Sequence, residues 1–195
     1  MSQFALLVLG IALFVLGHIV PRFAGIREGL VARWGQRTYR GLHSVLSLLS
    51  LGLIVYGYAA YRAAGYIPLW EVPRFFNHMA ILLLWPAMIL LAAAWLPGTI
   101  SAKAKHPLLV AVKLWALVHL IINGDLGSLI LFASLLAMAV VTRIRIRKSG
   151  AGEHVPGALQ PASPRNDILA VAIGTGIALA MIMGLHRYLI GVPVL

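Results

Sequence analysis

The side chains of this sequence that could bind a ligand or metal are chiefly its seven histidines. They stand out because 61% of the 195 residues are hydrophobic and only 11% are charged. The histidines are distributed along the whole chain: His18, His43, His78, His106, His119, His154 and His186. An imidazole buried in an apolar environment still needs a partner for each ring nitrogen. Where buried acids are lacking, a metal ion or a heme iron is a natural partner.

Other kinds of chemistry are poorly represented. The five acidic residues all fall in predicted loops or at predicted helix ends: Glu28, Glu71, Asp125, Glu153 and Asp167. Proton- and sodium-coupled carriers usually need a carboxylate at mid-membrane depth, so this distribution argues against them and against paired-carboxylate catalysis. The absence of cysteine excludes disulfides, thiolate metal sites and cysteine nucleophiles. The sequence also lacks a phosphate loop, a nucleophile elbow and an H-E-x-x-H motif.

The histidines differ in how well their position alone explains them. His119 is the hardest to explain, because apolar residues surround it on both sides. Three others are explained equally well by a position at a helix end or in a loop and by ligation: His18, His78 and His106. The remaining three need no special role. His43 and His186 lie at predicted helix ends, where an imidazole reaches the interface. His154 lies in a polar loop.

The elements that position these histidines are six apolar segments, predicted as helices at about 4–20, 41–60, 78–96, 107–122, 126–141 and 168–190. A membrane-spanning helix needs about 20 apolar residues, with a range of roughly 17 to 25. The fourth and fifth segments are short and form a tight hairpin around residues 123–125. We therefore predict an all-α, polytopic transmembrane bundle of about six helices in a single domain, residues 1–195.

The basic residues predict the orientation of this bundle. Twelve of the 16 lysines and arginines fall in the first, third and fifth loops. Cytoplasmic loops of membrane proteins are enriched in Lys and Arg, so these loops are expected inside and both termini on the outer, periplasmic side. The same bias explains the net charge of +11 without a nucleic-acid partner. The predicted location is a bacterial inner membrane, in contact with lipid, with a flexible basic cytoplasmic loop at 143–167.

A stripe on the first helix suggests one way to bind a flat cofactor. Gly10, Phe14, Gly17 and His18 share one side of this helix, and the small residues would leave room for a bis-histidine heme b. Alternatively, the glycines simply let two helices pack closely, which the spacing favours slightly. The predicted topology places His18 and His119 at different depths, so they can meet only if the fourth segment is tilted or re-entrant.

Several motifs resemble one family of membrane proteins. They are the stretch from Gly35 to Ser44, the segment Leu53–Tyr58, His106-Pro-Leu-Leu109, Lys113-Leu-Trp-Ala-Leu-Val-His119 and Asn123-Gly-Asp125. This combination is similar to the NnrU family, polytopic bacterial proteins linked to the production of active nitrite and nitric oxide reductases. The family is related to 15-cis-ζ-carotene isomerase, which uses a histidine-ligated heme b. The resemblance implies that His18 and His119 are heme ligands and that His78 and His106 are further family positions.

Three functions remain open on this basis. The first is a heme-binding protein that supports maturation of, or electron supply to, nitrite and nitric oxide reductases, with their assembly or electron-transfer proteins as partners. The second is a heme-dependent cis–trans isomerase of a lipophilic polyene. The third is a small transporter, which six helices and Lys113 suggest and which the missing intramembrane acids weaken.

Overall fold

The computed structural model describes residues 2–23, 25–73, 75–148 and 163–194, with Arg22 described by its backbone alone. Within these ranges the regular elements are helical, which confirms the predicted all-α class. The α-helices are α1 (Gln3–Ile19), α2 (Ile26–Trp34), α3 (Gln36–Ala63), α4 (Phe75–Ala93), α5 (Thr99–Ala104), α6 (Pro107–Ile122), α7 (Leu126–Lys148), α8 (Pro164–Ala180) and α9 (His186–Ile190). A 3-10 turn at Val20–Arg22 follows α1, and a π-helical turn at Met181–Leu185 joins α8 to α9.

Four of the described helical segments are long and apolar enough to cross a membrane. They are α3, α4, α7 and the continuous run Pro164–Ile190 formed by α8, the π turn and α9. The other two apolar helices are shorter, at 17 residues for α1 and 16 for α6. At 1.5 Å per residue, α6 is about 24 Å long, against a hydrocarbon thickness of about 30 Å. The chain is therefore a membrane protein with four candidate spans, and six crossings remain a prediction.

Lipid contact also accounts for the exposed apolar surface. On α3 the side chains of Leu48 and Leu49 are 68% and 63% exposed, and on α8 that of Ile168 is 70% exposed. Exposed apolar surface on this scale is unusual for a protein surrounded by water, whereas lipid tails solvate it well.

Several helices extend beyond the apolar segments from which they were predicted. Helix α3 begins at Gln36, not at residue 41, and α7 continues to Lys148, not to residue 141. Arg143, Arg145 and Lys148 thus belong to the last turns of α7, although the sequence placed them in a flexible loop. Arginine and lysine are good helix formers and interact favourably with the carbonyl end of a helix, so a basic sequence does not end it. Of that predicted loop, residues 149–162 lie outside the described residues.

The chain divides into two compact units. The first comprises residues 2–67 with 189–191, and the second comprises residues 68–188 with 192–194. In the first unit α1 packs along α3, and glycines bring the two backbones together. A Cβ added at Gly57 would lie 2.7 Å from the backbone nitrogen of Leu7, and one at Gly10 would lie 2.9 Å from that of Ile54. Such contacts leave room only for hydrogen at these positions.

In the second unit α4 packs against both α6 and α8, and α7 packs against α6. Gly174 in α8 makes the same kind of close approach, since a Cβ there would lie 2.5 Å from the Cα of Ile89. At one end of this unit, the Asp167 carboxylate accepts hydrogen bonds from the backbone N–H groups of Thr99 and Ile100, both at 2.9 Å. This side chain thereby satisfies the first N–H donors of α5, which otherwise lack partners.

The turn between α6 and α7 is also fixed within the second unit. The carbonyl oxygen of Gly124 accepts hydrogen bonds from the backbone of Leu69, at 2.7 Å, and of Trp70, at 3.1 Å. A side chain at position 124 would collide with the Trp70 carbonyl oxygen. The segment before α4 is therefore hydrogen-bonded to the α6–α7 turn, which begins one helical turn after His119.

Candidate functional site

The most buried histidine among the described residues is His119, in the last turn of α6. Its side chain is 9% exposed, and its Nδ1 lies 2.9 Å from the carbonyl oxygen of Trp115, one turn earlier. A carbonyl oxygen only accepts hydrogen bonds, so Nδ1 carries the proton of the neutral ring and donates it. The lone pair then lies on Nε2, which is the tautomer that a metal-ligating histidine needs when its other nitrogen is held by a backbone carbonyl.

Two aromatic rings hold the His119 ring in place. The centroids of Trp115 and Phe132 each lie 4.8 Å from that of His119, at interplanar angles of 42° and 36°. Trp115 and Phe132 also contact each other edge to face, with centroids 5.1 Å apart. Phe132 belongs to α7 and is 3% exposed, so the packing of α6 on α7 fixes this arrangement. The imidazole is thus oriented by its own helix and by its neighbour.

The break in the last helical run places a second histidine near this ring. Helix α8 loses its regular hydrogen bonding at the π turn, where Gly184 has φ +134°, a value that L side chains rarely adopt. His186 follows immediately, and its Nδ1 donates to the carbonyl oxygen of Val192 at 2.6 Å. The segment that follows α9 therefore returns to hold this imidazole, again through Nδ1.

The rings of His119 and His186 have centroids 6.4 Å apart and an interplanar angle of 27°. Both Nδ1 atoms are occupied by backbone carbonyls. Among the described residues, neither Nε2 atom forms a hydrogen bond. Two imidazole lone pairs are therefore available within the second unit.

The first unit contains a different pair. His18 donates from Nδ1 to the carbonyl oxygen of Phe14 at 2.8 Å, and its ring lies 5.1 Å from that of His43 in an edge-to-face arrangement. His43 is further stacked beside Tyr39, at 6.1 Å. The structure thus gives His18 the same orienting hydrogen bond as His119, and it places the two in different units.

The glycine stripe beside His18 is filled by protein. Leu53 and Ile54 of α3 lie against Gly10, and the Leu46 side chain would lie 3.2 Å from a Cβ at Gly17. Of the two sequence interpretations, close helix packing is the one that the structure supports.

Of the two other predicted site histidines, His106 lies apart from His119. His106 precedes α6, 13 residues before His119, which corresponds to about 20 Å along a helix axis. Its Nε2 atom is buried and forms no hydrogen bond among the described residues. Burial lowers the pKa of His106, and the positive charges of Arg143 and Lys105 lower it further. His78 lies in the first turn of α4 and is exposed.

Sequence reasoning also missed the burial of Asp125. This residue lies at the start of α7, as predicted, but its side chain is fully buried. Its Oδ1 accepts from the backbone N–H of Ser128 at 3.0 Å, and its Oδ2 accepts from the Ser128 hydroxyl at 2.6 Å. The spacing D-x-x-S before an apolar run was the available signal, because it is typical of a helix N-cap.

The donor set limits which metals these histidines could hold. Across the described residues, His, Cys, Asp and Glu side chains form no cluster of three or more that could hold a metal ion. Zinc sites usually need three or four protein ligands, whereas heme supplies four equatorial nitrogens and takes only axial ligands from the protein. A pair of oriented imidazoles therefore fits heme iron better than it fits zinc.

Comparison with known proteins connects these residues to one family. Residues 6–194 match the family described as NnrU protein, which is nearly the whole chain. Neither the curated proteins nor the solved structures provide a match. The chain belongs to the NnrU family.

Proposed function

We propose that this NnrU protein binds heme b in a bacterial inner membrane through its buried histidines. The observation that carries the proposal is His119: a buried imidazole with Nδ1 held by the Trp115 carbonyl and Nε2 left without a hydrogen bond among the described residues. A lone pair presented on Nε2 in this way is the form of histidine that ligates a metal. The resemblance to a family that is related to a heme-containing isomerase supports iron as the partner.

Heme would supply redox chemistry that no side chain of this protein offers. The protein's own contribution is to hold His119 in one tautomer through Trp115 and in one orientation through Phe132. The apolar surroundings exclude water and so favour the binding of a hydrophobic macrocycle.

The biological role that we propose is support for the production of active nitrite and nitric oxide reductases, either in their maturation or in electron supply. The family resemblance supports this role. Its test is complementation of a denitrifying host from which the native NnrU gene has been deleted. We expect the wild-type chain to restore nitric oxide reduction and His119→Ala to fail at equal protein abundance. Equal rescue by His119→Ala would contradict a role that depends on this histidine.

The heme proposal is tested on the purified protein in detergent. We expect a pyridine hemochrome spectrum of heme b from the wild type, and a loss of at least half of the bound heme in His119→Ala. His154→Ala is the matched control, since the sequence places that histidine in a polar loop. A colourless wild-type preparation from heme-sufficient cells that also fails to take up added hemin would reject heme binding.

A further inference from the structure

We infer that His186 supplies the second axial nitrogen for the iron that His119 binds. This inference rests on the proposed heme binding and assigns a role to a residue whose position at a helix end suggested none. It is carried by the juxtaposition of two oriented imidazoles within one compact unit, the second of which directly follows a helix break.

The separation of the two rings suits a shared metal. An imidazole nitrogen lies about 2.0 Å from a first-row metal, so two imidazoles on opposite sides of one metal have centroids roughly 6 Å apart. The observed separation of the His119 and His186 centroids is 6.4 Å. Among the described residues no hydrogen bond joins the two rings, so their pairing does not rest on one.

The same kind of hydrogen bond orients both rings. Each has its Nδ1 proton donated to a backbone carbonyl, that of Trp115 for His119 and that of Val192 for His186. Hydrogen bonds of this kind fix the tautomer of a ligating histidine and raise the basicity of its Nε2.

The helix break explains how His186 comes to this position. In a straight continuation of α8, the regular helical rotation would decide on which side of the helix residue 186 lies. The π turn at Met181–Leu185 and the φ of +134° at Gly184 change that direction. Because Gly184 has a non-helical conformation, this segment interrupts the helix as a kink. Here the interruption comes directly before the histidine that it reorients.

The test compares ferric heme in the wild type with heme in His186→Ala and His186→Asn, by optical and electron paramagnetic resonance spectroscopy. The asparagine amide can still donate to the Val192 carbonyl but lacks the Nε2 lone pair, so it separates ligation from folding. We expect the wild type to be six-coordinate and low-spin, and both variants to become predominantly high-spin. Added imidazole should return His186→Ala to the low-spin state, because a free ligand can occupy the vacated position.

Each other outcome has a distinct meaning. A low-spin spectrum that is unchanged in both His186 variants but lost in His18→Ala would overturn the inference and leave heme binding intact. A heme-free wild type would instead reject the proposed function itself. The His154→Ala control should keep the wild-type spectrum, and a change there would show that the spin state reports general damage and would count against the assignment.

Discussion

At the scale of single residues, the structure shows how a very apolar chain handles its few polar side chains. His18, His119 and His186 each donate from Nδ1 to a backbone carbonyl oxygen, the first two to the residue four positions earlier. This i to i−4 bond is available to any helical histidine, so it needs no second polar side chain. The lack of acids within the predicted membrane segments, which seemed to leave the histidines without orienting partners, is therefore compensated by the backbone.

The sequence predicted the burial of His119 correctly from the apolar residues on both sides of it, but it missed the positions of His43 and His186. Periodicity assumes a straight helix, and a single glycine such as Gly184 in an apolar run does not by itself show where the helix changes its rotation. The return of Val192 to His186 depends on tertiary structure, as does the approach of His43 to His18. These pairings are long-range properties that local patterns do not encode.

Asp125 provides a prediction about stability at this scale. Removal of a helix N-cap side chain costs about 0.5 to 2 kcal/mol, and here Asp125→Ala would also leave the buried Ser128 hydroxyl without this acceptor. We expect a lower midpoint of heat denaturation in detergent, measured on the purified protein. Glu71→Ala is the control, because that side chain is exposed and precedes α4. Equal midpoints for the two variants would show that the buried cap contributes nothing.

At the scale of the helices, glycines decide where two backbones meet. The sequence indicated both close packing and a ligand groove for the glycines of α1, and the contacts at Gly10 support packing. A sequence pattern could not separate the two, because both need a face without side chains. The sequence pattern also underestimated the lengths of α3 and α7, whose polar and basic ends extend the helix beyond the apolar segment.

Two glycines of α3 offer a matched test of this packing. A Cβ at Gly57 would lie 2.7 Å from the backbone nitrogen of Leu7, whereas one at Gly52 would meet nothing within 4 Å. We expect Gly57→Ala to destabilise the protein by about 1 to 3 kcal/mol through overpacking. Gly52→Ala should be neutral or stabilising, since alanine is the better helix former. Heat denaturation of both variants checks this, and a Gly57→Ala protein as stable as Gly52→Ala would contradict the close approach of α1 and α3.

At the scale of the whole molecule, composition was enough to predict a helical membrane protein, because a chain with 61% hydrophobic residues has too few polar side chains to cover a surface in water. The number of crossings is harder to predict, since α1 and α6 are shorter than the hydrocarbon core is thick. A short helix can cross by thinning the bilayer locally, or it can enter and return. The length and hydropathy of a helix therefore do not distinguish a helix that crosses from one that enters and returns.

The orientation rests on the distribution of basic residues, and it can be tested because the chain has no cysteine. Single cysteines at Ser2 and Tyr66 are expected on the outer side, and single cysteines at Gly29 and Thr99 on the cytoplasmic side. All four positions are exposed. A membrane-impermeant maleimide should label the first two in intact spheroplasts and the second two only after permeabilisation, because loops rich in Lys and Arg are retained inside. Labelling of the cysteines at both position 2 and position 29 in intact spheroplasts would place both ends of α1 on one side, and α1 would then not span the membrane.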